Sequence, residues 1–285
     1  MLILYAFGSA FFAGITAILA KIGIKNTDSN LATAIRTIII LIFSWLMVFI
    51  VGSFNTITEL SMRTIIFLIL SGLATGFSWL CYFKALQLGN VNHVTPIDKS
   101  STILTMILAM IFLGEEITVL KVISIVLIGI GTYLMIEKKD DTKESKDRKW
   151  LFFALGSAIF ASLTAILGKV GIQGVESNLG TAIRTIVVLI MAWIVVFVTK
   201  KQGEIKNIDK KSWKFIVFSG LTTGLSWLCY YKALQDGQAS IVVPIDKLSI
   251  VITIIFSYFI LKEKMNKKSI IGFIGIIIGT MLLLV

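Results

Sequence analysis

Shifted by 148 residues, the chain lies over itself without a gap, and about 60 of 137 aligned positions are identical. Asn30–Thr37 recurs as Asn178–Thr185, Ser71–Tyr82 as Ser219–Tyr230, and Pro96-Ile97-Asp98-Lys99 as Pro244-Ile245-Asp246-Lys247. Each copy holds five apolar runs near the ~20 residues that a membrane helix needs. They cover 2–23, 31–51, 64–86, 92–113 and 118–136, then 150–171, 179–199, 213–234, 240–261 and 268–285. An odd number of spans forces the second copy to enter the bilayer from the opposite side. The expected fold is therefore all-α: a polytopic membrane protein of ten transmembrane helices arranged as two inverted five-helix repeats. The repeats are expected at 1–137 and 149–285, joined by a charged linker at 138–148. Inverted repeats with polar residues inside their spans are the architecture of many secondary transporters.

Composition agrees with a bilayer and excludes an ordinary soluble domain: 56% of residues are hydrophobic and 15% charged, with mean hydropathy +0.92. The first apolar run has no basic segment ahead of it and continues to Lys21, so it reads as a span rather than a cleaved leader. Cys81 and Cys229 lie in apolar runs and read as packing residues. The net charge of +11 is unevenly placed. One face, formed by the linker and loops 1–2, 3–4, 7–8 and 9–10, collects about 19 basic residues against about four on the other. By the positive-inside rule the basic face is cytoplasmic and both termini lie outside, in the cytoplasmic membrane. The excess sets orientation and asks for no nucleic-acid partner.

Small residues four apart, Gly72/Gly76 and Gly220/Gly224 in the third spans and Gly275/Gly279 in the last, read as packing seams, as do Ser9-Ala13-Ala17 and Ser157-Ala161-Ala165. Beyond the glycines, Trp79 and Trp227 share helical faces with Thr75 and Thr223, and Tyr82 and Tyr230 follow. These aromatics read either as headgroup anchors or as the wall of a central cavity. Pro96 and Pro244 mark either a helix start or a loosened helix interior. In both cases Asp98, Lys99, Asp246 and Lys247 fall within or near the bilayer, where charges are candidates for function. Arg36 and Arg184 lie at similar depth, so Arg36–Asp98 and Arg184–Asp246 pairs are expected, leaving Lys99 and Lys247 without partners. The interior set is net positive and favours an anionic group on the substrate, although an Asp can equally be a proton or cation site. Lys84 and Lys232 read as snorkelling, His93 as interfacial, and Glu115 and Glu263 as solvated helix ends.

The Asn-Leu-x-Thr-Ala-Ile-Arg-Thr, Ser-Gly-Leu-x-Thr-Gly-x-Ser-Trp-Leu-Cys-Tyr and Pro-Ile-Asp-Lys segments, each present twice, resemble the EamA-like branch of the drug/metabolite transporter superfamily. The resemblance covers nearly the whole chain. It implies a ten-helix carrier in the membrane of a bacterium or archaeon, moving a small amino-acid-like or organic-anion-like metabolite by alternating access, with export the expected direction. No cofactor and no metal site are expected. A channel is the alternative, but the polar residues are clustered and separated by apolar runs such as 38–42. A membrane-embedded enzyme would need a catalytic constellation that a chain with one His does not offer.

Overall fold

The structure is a computed structural model describing residues 1–23, 27–88, 97–98, 100–134, 149–256 and 267–285. Pro96, Lys99, His93, Glu263 and the linker 138–148 lie outside the described residues. The first repeat contributes α1 (Leu2–Gly23), α2 (Ser29–Val51), α3 (Met62–Leu88), α4 (Ser101–Phe112) and α5 (Val119–Leu134). The second contributes α6 (Lys149–Gly171), α7 (Ser177–Val198), α8 (Lys210–Asp236), α9 (Ala239–Lys247), α10 (Ser249–Phe256) and α11 (Lys267–Met281). Six of these helices are long and apolar enough to cross a membrane: α1, α2, α3, α6, α7 and α11, the last continued by a 3-10 turn to Leu284. All ten apolar runs of the sequence are mainly helical where described, the fourth and ninth interrupted by turns at Ser100 and Leu248.

Matching positions do matching local work. Asp28 caps α2, accepting from the backbone N–H groups of Asn30 (3.0 Å) and Leu31 (3.1 Å). Its mate Glu176 caps α7 through Asn178 and Leu179, both at 3.0 Å. At the far end of α2, Gly52 takes the left-handed conformation (φ 77°) that closes a helix C-terminus.

The repeats are interlocked rather than side by side. α1 packs on α8, α9 and α10 of the other repeat, and its mate α6 packs on α3 and α4; α2 packs on its own mate α7, and α5 on α11. Reciprocal contacts of this kind describe a pseudo-two-fold axis running between α2 and α7 and between α5 and α11. The glycine seams lie on these contacts. A Cβ added at Gly72 would come 2.7 Å from Val187 of α7, and one at Gly220 would come 2.9 Å from Ile39 of α2. Loop contacts also sort by face: the 3-10 turn Gln202–Asn207 packs against the start of α2, while Ser53 in loop 2–3 donates to Glu176 in loop 6–7.

The ninth run is a broken span. Pro244 is the sixth residue of α9, inside the helix rather than in its first turn, and α9 ends at Lys247 with a turn at Leu248 before α10. The fourth run shows the same turn at the matching Ser100. At each turn a backbone N–H reaches back only three residues, Leu248 to Ile245 (2.9 Å) and Ser100 to Ile97 (3.2 Å). An interior proline removes one hydrogen bond and loosens the turn preceding it. Asp98 and Asp246 each stand two residues before such a break.

Candidate functional site

Between α2, α3 and α8 lies a cavity of about 250 Å³ lined by Thr33, Arg36, Thr37, Ile40, Trp79, Thr223 and Trp227. Arg36 projects from the second turn of α2, so the cavity occupies the half of the bundle toward the basic face. Its Nη2 donates to Thr223 Oγ1 at 2.8 Å, and its buried Nε has no partner among the described residues. The threonines have already committed their hydroxyl protons: Thr33 to Ser29 O (2.7 Å), Thr37 to Thr33 O (2.8 Å) and Thr223 to Ser219 O (2.6 Å). Toward the cavity they offer lone pairs only. The wall therefore combines one cationic donor, several hydroxyl acceptors and two indole rings.

Arg184, the mate of Arg36, is buried. It is 2% exposed, its Nε donates to Ser71 Oγ at 2.9 Å and its Nη2 to Thr75 Oγ1. Its guanidinium carbon lies 5.2 Å from the Trp227 ring centroid and 4.8 Å from that of Tyr231. Trp227 thus belongs both to the cavity that holds Arg36 and to the stack that buries Arg184. Two residues identical in sequence and related by the fold's symmetry therefore have different surroundings: a cavity lies beside Arg36, whereas two rings cover Arg184.

The expected Arg36–Asp98 and Arg184–Asp246 pairs do not form among the described residues. Each guanidinium instead crosses to a third span of the opposite repeat. Each aspartate is held by a serine on a first span: Ser157 Oγ donates to Asp98 Oδ1 (2.6 Å) and Ser9 Oγ to Asp246 Oδ1 (2.5 Å). Those serines are anchored in turn, since Ser78 donates to Ser157 O and Ser226 to Ser9 O, both at 3.1 Å. Depth along a span was a poor guide because the interlocked repeats bring first spans, not second spans, against the broken helices. Nor is Lys247 without a partner: its Nζ lies 3.8 Å from Asp246 Oδ2. Helix geometry would have splayed these neighbours, but α9 ends there.

Away from the basic face, charged side chains fasten the helix ends. Glu115, expected to be solvated, is 9% exposed and caps α9, accepting from the backbone N–H groups of Ala239 (2.6 Å) and Ser240 (3.0 Å) and from the Ser240 hydroxyl. Lys169 Nζ caps the end of α8 by donating to Leu234 O (2.5 Å), Gln235 O (3.2 Å) and Gly237 O (2.6 Å). Gln235 Nε2 donates to Ile172 O and Val175 O at 2.6 Å each. Glu115→Ala is expected to cost about 2 kcal/mol, the upper range for a lost cap, because two backbone donors lose their acceptor in a buried site. Thermal unfolding of the purified protein measures it, and an unchanged midpoint would show that the cap carries no stability.

Of the residues singled out in the sequence, Arg36, Trp79, Thr223 and Trp227 are brought together at the cavity. Thr75 and Arg184 meet in the closed counterpart. Tyr82 and Tyr230 pack in separate apolar clusters, Tyr82 beside Ala85 and Ala154, and Tyr230 edge-on to Tyr231 at 5.1 Å. Tyr231 was missed because Phe83 occupies the matching position, and identity between the copies was the guide. Ser9 and Ser157 were read only as small residues, and nothing in their spacing marked them as carboxylate partners.

A family model described as the EamA-like transporter family matches residues 1–137 and again 148–285. An uncharacterized transporter of a Sinorhizobium species is 43% identical over 138 residues, 48% of this chain and 98% of that protein. A protein of Latilactobacillus sakei named for ribose uptake is 24% identical over 94% of this chain and 90% of its own length. A solved crystal structure superposes with a TM-score of 0.77 at 14% identity, covering 99% of this chain and 95% of that one, which shows a shared fold.

Proposed function

The chain belongs to the EamA-like transporter family, a multi-pass membrane transporter of small molecules, and we propose that it is a secondary carrier for a small amino-acid-like or organic-anion-like metabolite. The observation that carries this reading is Arg36 in the wall of a cavity of about 250 Å³, its Nε without a partner among the described residues. A substrate carboxylate supplies the acceptor that Nε lacks. A substrate ammonium finds the lone pairs of Thr33, Thr37 and Thr223, and an apolar side chain rests on Trp79 and Trp227. The volume suits a metabolite rather than a drug-sized molecule.

The unequal surroundings of Arg36 and Arg184 support alternating access. A permanent pore needs no closed and open pair of the same half-site. With the basic face cytoplasmic in the membrane of a prokaryote and both termini outside, the open half-site loads from inside the cell, which favours export. Asp98 and Asp246, beside breaks in their spans, are the groups to examine for a coupling proton or ion.

A sugar is the second reading. Indole rings stack on sugar faces, hydroxyls bond to threonines, and the Latilactobacillus relative is named for ribose uptake. Thermal shift with L-amino acids, short monocarboxylates and pentoses separates the two. A ligand at 100-fold its Kd adds about 2.7 kcal/mol, a rise of several degrees. Carboxylates are expected to stabilise the wild type and to lose that effect in Arg36→Gln. Stabilisation by pentoses alone, equal in both proteins, would overturn the carboxylate reading. Saturable flux with counterflow in proteoliposomes is expected of a carrier, and turnover far above carrier rates would make it a channel.

A further inference from the structure

We infer that the two arginines exchange roles as the carrier turns over, each receiving substrate in one conformation and binding a serine of its own closed half-site in the other. The inference deepens the carrier reading but rests on a separate comparison, that of matching residues in the two repeats.

The half-sites differ in one hydrogen bond and two ring stacks, and each guanidinium keeps one buried nitrogen without a partner among the described residues, Nε in Arg36 and Nη1 in Arg184. Both arginines hold the threonine opposite them through Nη2: Arg36 holds Thr223, and Arg184 holds Thr75. Arg184 Nε also holds Ser71, whereas Arg36 Nε has no partner among the described residues. The serine that matches Ser71 is Ser219, and its hydroxyl donates instead to Ile216 O at 2.8 Å within its own helix. Arg184 lies over Trp227, whereas Arg36 makes no stack on the matching Trp79 among the described residues. A serine oxygen therefore occupies in the closed half-site the donor that is vacant in the open one. Ser71 is the internal stand-in for a substrate oxygen.

Interlocking makes the exchange reciprocal. α3, which carries Ser71 and Thr75, packs on α7, and α8, which carries Ser219 and Thr223, packs on α2. Closing α8 on Arg36 and closing α3 on Arg184 are mirror versions of one movement, and Trp227 stands in both half-sites. One arginine is buried while the other is available. Anionic substrate arriving at Arg36 replaces the missing serine and so permits that half-site to close; leaving on the other side, it is displaced from Arg184 by Ser71. Tyr231 adds a second ring over Arg184, which favours the state with Arg184 buried at rest.

Arginine-specific labelling tests this without knowledge of the substrate. Purified carrier in nanodiscs is treated with phenylglyoxal, and modification of Arg36 and Arg184 is followed by peptide mass spectrometry. In the wild type Arg36 is expected to react at least about ten times faster than Arg184, a difference that a bias of 1.4 kcal/mol between the states produces. Ser71→Ala removes the stand-in from the closed half-site and is expected to speed Arg184 labelling several-fold while slowing that of Arg36. Ser219→Ala is expected to act with the opposite sign. Equal labelling of the two arginines in the wild type would overturn the exchange. So would a Ser71→Ala variant in which Arg184 labels faster and Arg36 is unchanged, because the two sites would then be independent. Circular dichroism of each variant shows that it is folded. Since no substrate is added, failure here is distinct from failure of the carboxylate reading, which the thermal-shift screen reports.

Discussion

Arg184→Met is expected to yield a carrier that unfolds within a few degrees of the wild type and transports about 100-fold more slowly. The stability half of this expectation rests on what Arg184 touches. Its charge is fully buried without a carboxylate partner among the described residues, and keeping an ion out of water costs several kcal/mol. Against that cost stand two charge-assisted hydrogen bonds of about 1.5–3 kcal/mol each and the stack on Trp227 and Tyr231, about 2 kcal/mol. Methionine fills the space of the stem and keeps contact with both rings. Ser71 and Thr75 keep their own donors satisfied, on Thr164 O at 2.8 Å and Ser71 O at 3.0 Å, so no buried hydroxyl proton is stranded. The transport half follows from the exchange of roles: a half-site without its cation cannot take the carboxylate, and one such interaction of about 2.7 kcal/mol is the stated factor. Unfolding midpoints and counterflow in proteoliposomes measure the two halves. A variant that aggregates would make Arg184 a structural residue, and one that transports normally would make it dispensable.

The fold was legible because two strong signals agree. Apolar runs of spanning length and a gapless internal repeat leave few arrangements for five-span units, and α1, α2, α6 and α7 begin and end within two residues of the runs read from the sequence. The site was legible by residue type but not by partnership. Arg36, Trp79, Thr223 and Trp227 stood out as polar or aromatic residues repeated inside spans, and they line one cavity. Their partners could not be read, because pairing depends on which spans touch. The sequence places Arg36 and Asp98 at similar depths, whereas the packing sends Arg36 to Thr223 on α8 and Asp98 to Ser157 on α6. Glu115 illustrates a different limit. A glutamate after an apolar run looks solvated, and only the start of α9 brought against it makes it a cap. The difference between Arg36 and Arg184 was beyond reach altogether, since a repeat of identical residues contains no record of which copy is closed.

On α5, Gly129 and Gly131 stand two residues apart and are expected to respond differently to an added methyl group. A Cβ at Gly131 would fall 2.5 Å from the carbonyl oxygen of Gly272 and 2.9 Å from the backbone nitrogen of Ile276, both on α11. Neither atom can rotate aside, so the two helices must separate along the seam where the repeats meet. Gly131→Ala is therefore expected to destabilise by about 3 kcal/mol, the upper range for overpacking, despite alanine's better helix propensity. That is a substantial share of the 5–15 kcal/mol that holds a typical fold. Among the described residues, a Cβ at Gly129 meets only Cδ1 of Ile103, at 2.9 Å, the far end of a flexible side chain that can turn away. Gly129→Ala is expected to stay within about 1 kcal/mol of the wild type, with propensity offsetting the small rearrangement. Unfolding of the two variants in the same detergent isolates the backbone contact from any general effect of adding a methyl group. Equal midpoints would mean that the α5–α11 seam is loose, and the two-fold junction would then need another anchor.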